Sequence, residues 1–83
     1  MHIQIYSKQN CIYCTKAESL AKDIVKNSDS DHTYEKFMLN EHFTIEELVQ
    51  LFPKAQTFPQ ITIDKIKIGG YQELKKVGEH VNG

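Results

Sequence analysis

Residues His2 to Lys26 read HIQIYSKQNCIYCTKAESLAKDIVK. The first six, His2 to Ser7, alternate Ile3 and Ile5 with polar neighbours and are rich in β-formers, the pattern of a strand. From Cys14 onward the apolar positions are Cys14, Ala17, Leu20, Ala21, Ile24 and Val25, spaced by three and four. Lys16, Lys22, Asp23 and Lys26 take the opposite face, so this half predicts an amphipathic helix. Both cysteines of the chain, Cys11 and Cys14, fall at the junction. Cys11 is therefore expected at a helix N-terminus.

The remaining chain predicts a second layer of the same kind. Asn27 to His32 is a cluster of turn-favouring residues, and TYEKFML after it reads as a strand. Thr44 with Glu47 three residues on forms a capping box, Phe43 and Leu48 a hydrophobic staple, and Pro53 closes that helix. In TFPQITIDKIKIGGYQEL, Thr57 to Leu74, the isoleucines at 61, 63, 66 and 68 alternate around Asp64-Lys65. That predicts a hairpin whose turn lacks glycine, so that either one of its residues takes a positive φ or the loop is longer than two residues. Gly69-Gly70 ends the second strand, and Tyr71 to Val81 carries the periodicity of a closing helix (Tyr71, Leu74, Val77, Val81), interrupted by Gly78. The order βαβαββα predicts an α/β fold with three helices on a four-stranded sheet.

Composition narrows the function. The 83 residues are 40% hydrophobic and 25% charged, enough for one core, so residues 1–83 are expected to form a single domain. Ten basic against eleven acidic residues give a formal net charge of -1, which disfavours nucleic acid as a partner. No segment has the roughly 18 apolar residues of a membrane span, and the N-terminus lacks a basic region followed by a long apolar run. The expectation is a soluble cytoplasmic protein. Thiols are kept reduced there, so a close cysteine pair is catalytic or metal-binding more often than a structural staple.

Two cysteines separated by two residues at a helix start lie about one turn apart and share a face, within a modest adjustment of disulfide geometry. The unpaired N–H groups and positive dipole end of the helix favour the Cys11 thiolate, and Lys8 adds a positive charge. Cys11 is the candidate nucleophile, and Cys14, one turn in on the apolar face, the resolving thiol. Tetrahedral zinc wants four ligands, and His2, His32, His42 and His80 are scattered without zinc-motif spacing, so no metal is expected. Thiol–disulfide exchange is the leading reading, ahead of an inert pair and of metal or cluster binding.

The strand-CIYC-helix start, the TFPQI segment and the IGGY turn, in that order, resemble a glutaredoxin over nearly the whole chain. The resemblance implies a thioredoxin-like fold with a mixed sheet, a cis-proline at Pro59 facing the redox pair, and glutathione as reductant. It implies that Lys8 and Tyr13 flank a glutathione groove, that Thr57, Phe58 and Pro59 present backbone groups to the glutathione cysteine, and that Gly70, Tyr71 and Gln72 meet its γ-glutamyl end. Protein disulfides, with ribonucleotide reductase among them, and glutathionylated proteins are the implied substrates of a monomer.

Three positions depart from the common pattern of that family. Ile12 stands where proline is most usual, Phe58 where valine is, and Gln72 where an acidic residue is common. Gln72 removes an expected ion pair to the glutathione amino group, which Glu73 is placed to supply instead. Two alternatives therefore stay open: a glutaredoxin-like electron donor recharged by thioredoxin reductase, and an iron–sulfur binding module in which Cys11 from two chains and two glutathiones hold a cluster.

Overall fold

The computed structural model describes residues 1–27, 29 and 31–82; Ser28, Ser30 and Gly83, with the side chains of Val81 and Asn82, lie outside the described residues, so the expected turn is seen only in part. The elements are β1 (His2–Ser7), α1 (Ile12–Asn27), β2 (Thr33–Met38), α2 (Ile45–Leu51), β3 (Gln60–Ile63), β4 (Ile66–Gly69) and α3 (Tyr71–Asn82). This is the predicted order. The sheet runs β2-β1-β3-β4, with β1 parallel to β2 from His2↔Thr33 to Ser7↔Met38, and β3 antiparallel to both β1 and β4. Among the described residues no helix is long and apolar enough to cross a membrane.

Alternation along β1 divides the core in two. Ile3, Ile5 and Ser7 point to one face, where Ile3 and Ile5 are buried with Ala17, Ala21 and Ile24 of α1, Ile61 of β3 and Leu74 of α3. Each fully buried isoleucine contributes on the order of 1.5–3 kcal/mol. Tyr6 points to the other face, into Phe43, Leu48 and Phe52, with its ring centroid 5.1–5.3 Å from those of Phe37, Phe43 and Phe52. The staple pair Phe43 and Leu48 belongs to this second cluster. The predicted capping box closes α2: Thr44 Oγ1 accepts the Glu47 N–H, and Glu47 Oε1 accepts the Thr44 N–H.

One expectation is corrected, and one alternative is decided. Gly78 does not interrupt α3, which is continuous from Tyr71 to Asn82. A Cβ at Gly78 would lie 3.3 Å from Ile24 Cδ1, so the missing side chain lets α3 approach α1 closely, offsetting the roughly 1 kcal/mol that glycine costs a helix. The hairpin turn is two residues long with both of them left-handed, Asp64 at φ 50° and Lys65 at φ 69°. Asp64 is held there because its Oδ1 accepts the His2 N–H at 2.8 Å and its own N–H donates to the His2 carbonyl.

Candidate active site

The chain leaves β1 at Ser7 and reverses through Asn10, at φ 57°, a left-handed conformation that asparagine tolerates better than most residues. Helix α1 starts at Ile12, so Cys11 is its N-cap. Its carbonyl accepts the Thr15 N–H at 3.2 Å, and its Sγ accepts the Cys14 N–H at 3.2 Å. Sulfur thus takes the place of the Ser, Thr, Asp or Asn oxygen that usually satisfies the N3 donor. A thiolate there meets an oriented N–H and the positive end of the helix together.

Cys14 follows on the inward face of α1 and is 3% exposed, whereas Cys11 is half-buried. The two are joined as a disulfide with Cα atoms 5.2 Å apart, inside the usual range. Of the two residues, Cys11 is the more exposed. The Phe58-Pro59 bond is cis, and the Phe58 carbonyl oxygen lies 3.9 Å from Cys11 Sγ. The segment expected to face the cysteines does so.

A groove of about 380 Å³ opens beside the pair, lined by Tyr13 from α1, by Thr57, Phe58 and Pro59, and by Gly70, Tyr71, Gln72 and Glu73 at the start of α3. Three segments far apart in sequence meet here. The Tyr13 ring lies 5.9 Å from that of Tyr71, with Lys16 Nζ 5.2 Å from the Tyr13 ring centroid, so one wall is aromatic with a cation at its edge. Lys8 is not part of this lining. Its Nζ sits 5.6 Å from the Phe58 ring centroid, and it lines a second cleft of about 700 Å³ on the far side of Cys11, with Ser7, Asn10, Cys14, Lys36 and Met38.

At the start of α3 the alternative partner in the groove is already engaged. Glu73 Oε1 accepts the Gly70 N–H at 2.7 Å, half of a capping box in which Gly70 is the N-cap and Glu73 the N3 residue. The same carboxylate packs against Gly69, at φ 116°, where an added Cβ would lie 2.6 Å from it. Sequence reasoning treated Glu73 as a ligand-facing acid and did not anticipate the cap. The signal was present in the spacing Gly70-x-x-Glu73 before an apolar periodic stretch. Ser7, inward-facing at the end of β1 in register with Ile3 and Ile5, lines the second cleft together with both cysteines.

No family model matches the chain. Individual proteins do. Glutaredoxin 1 of Escherichia coli is 35% identical over 76 residues, 89% of this chain and 88% of that one. A glutaredoxin of Haemophilus influenzae is 35% identical over 77 residues, 90% of this chain and 87% of its own length. The solution structure of oxidised E. coli glutaredoxin matches with a TM-score of 0.80 at 31% identity, covering 100% of both chains. Glutaredoxin 1 from Francisella tularensis, complexed with cacodylate, matches in fold with a TM-score of 0.70 at 21% identity, over 96% of this chain and 94% of that one. With the half-buried Cys11 sulfur at the helix cap, the buried partner thiol one turn on and relatives that span most of its length, the chain belongs to the glutaredoxin family and is a thiol–disulfide oxidoreductase.

Proposed function

We propose that the reductant is glutathione and that the substrates are glutathione mixed disulfides and protein disulfides. The observation that carries this reading is the groove joining Tyr13, Thr57-Phe58-Pro59 and Gly70-Tyr71-Gln72 next to Cys11. An extended tripeptide laid along it can pair its backbone with that of Phe58, as in strand addition, while its sulfur reaches Cys11. Its γ-glutamyl carboxylate takes the N–H groups of the α3 start other than Gly70 N–H, which Glu73 occupies. Its ammonium meets the neutral Gln72 amide. Lys8, on the other side of Cys11, acts through its charge on the thiolate and not as a groove wall.

In the reaction, the Cys11 thiolate attacks a substrate disulfide and holds one half as a mixed disulfide. Cys14 then displaces it, or glutathione does so when the trapped group is glutathione. The closed Cys11–Cys14 disulfide is reopened by two glutathiones in succession. Cytoplasmic proteins, including ribonucleotide reductase, are the proposed targets. Turnover of a small glutathione mixed disulfide tests the reading when glutathione with glutathione reductase is compared with thioredoxin reductase alone. Rapid turnover only with glutathione is expected; turnover only with thioredoxin reductase would reject glutathione as the reductant.

A further inference from the structure

Ser7 is 1% exposed, and its Oγ has no hydrogen-bond partner among the described residues. A buried hydroxyl left without a partner has lost its hydration without compensation, so a state that offers it an acceptor is favoured. Its position identifies that state. Along β1 the residues facing α1 are Ile3, Ile5 and Ser7, and along α1 the buried row is Cys14, Ala17, Ala21 and Ile24. Ser7 is the last inward residue of the strand, and Cys14 is the first inward residue of the helix that follows it. Both line the same cleft with Cys11. In the disulfide the Cys14 sulfur is bonded to Cys11 and is only a weak acceptor. Once the bond opens, the two sulfurs separate to van der Waals contact and the Cys14 sulfur becomes an anionic acceptor inside the protein.

We propose that Ser7 is a positioning residue whose hydroxyl donates to the Cys14 sulfur in the reduced protein, stabilising Cys14 as the leaving thiolate when Cys11 is attacked. With dithiothreitol as reductant, its thiolate attacks Cys11 Sγ, the S–S bond breaks, and the electron pair leaves on Cys14 Sγ, where the Ser7 O–H meets it. The second dithiothreitol thiolate then displaces Cys11 as thiolate and closes the oxidised ring; Cys14 takes a proton from solvent. The hydroxyl thus meets the Cys14 thiolate as it leaves and keeps a weaker bond to its sulfur once protonated, whereas in the disulfide it has no partner among the described residues.

The test is the redox equilibrium of the full chain with dithiothreitol, which does not depend on the glutathione reading. Ser7→Ala should shift the equilibrium constant about tenfold toward the disulfide, equal to about 30 mV, and slow the reduction step. Ser7→Thr, which keeps the hydroxyl, should stay within about twofold of wild type on the same scale. Denaturant unfolding supplies a readout that a merely structural serine would not move: Ser7→Ala should lower the midpoint of the reduced protein and not that of the oxidised one. If Ser7→Ala does not fold, Ser7→Val compared with the isosteric Ser7→Thr carries the same expectations. An unchanged equilibrium constant, equal loss of stability in both forms, or a Thr variant that shifts as the Ala variant does would overturn the proposal.

Discussion

Cys11 and Cys14 differ in exposure because a three-residue step from an N-cap carries a side chain from the rim of a helix to its inward face. The same step puts the Cys14 N–H on the Cys11 sulfur, at 3.2 Å. The proposed division of labour rests on that geometry. Cys14→Ser should retain activity on glutathione mixed disulfides, which glutathione itself can resolve, and lose most reduction of protein disulfides; Cys11→Ser should abolish both. Equal loss on both substrates in Cys14→Ser would contradict the assignment. Gln72 offers a second residue-scale test of the proposed function: with Glu73 committed to Gly70, the ammonium of a glutathione bound as proposed would face an amide. Gln72→Asp should gain roughly 0.2–1 kcal/mol, read as a Michaelis constant for glutathione lower by about 1.5- to 5-fold, with the gain shrinking as salt rises. A constant unchanged or raised at low and high salt alike would show that Gln72 does not face that group.

At the scale of elements, local signals decide where helices and turns begin, and tertiary contacts decide where they are allowed to continue. Thr44 and Glu47 declare the start of α2 in sequence, and Thr44→Ala should cost about 0.5–2 kcal/mol in denaturant unfolding. The β3–β4 turn holds Lys65 at φ 69° without glycine. Lys65→Gly removes roughly 1–2 kcal/mol of left-handed strain but loosens the unfolded chain, for a net stabilisation of about 0.5–1 kcal/mol in the same measurement. The strand and helix around CIYC, the α2 capping box and the TFPQ and IGGY segments were legible because each rests on periodicity, capping or a short motif. What was not legible depends on partners distant in sequence. Gly78 reads as a break until Ile24 of α1 is packed on it, and Asp64 reads as a poor turn residue until His2 donates to its carboxylate. Ile66 continues the hairpin's apolar alternation yet is 69% exposed, because β4 is the sheet edge. Lys8 adjoins the cysteines in sequence, but its Nζ lies over the Phe58 ring and it lines the cleft with Ser7 and Met38, not the groove.

Across the whole molecule, the sheet separates an α1/α3 core, which sets the height of the cysteines, from the aromatic cluster beneath α2, which supports the Phe52–Phe58 segment. Where α2 does not cover the second face, β1 and β2 are tied by a polar ladder: Gln4 Nε2 donates to Glu35 Oε1 at 3.0 Å, and His2 Nε2 lies 2.9 Å from the same oxygen. The hydrogen bond from Gln4, then that from His2, hold the Glu35 carboxyl below its ordinary value. A depressed carboxyl stabilises the fold above its unfolded pKa and loses that contribution as pH falls through its folded one. Wild type should therefore lose stability on acidification below the ordinary carboxylate range, and Glu35→Gln should flatten that part of the curve in denaturant unfolding against pH. The α1/α3 core seats one helix start against β1, where the chemistry takes place. The most direct test of that claim is the pH dependence of Cys11 alkylation in the Cys14→Ser variant, which leaves the residue-14 N–H in place. An apparent pKa within about 3.5–7.5 is the result predicted for a thiolate capping α1; a value near the 8.5 of a free thiol would contradict it.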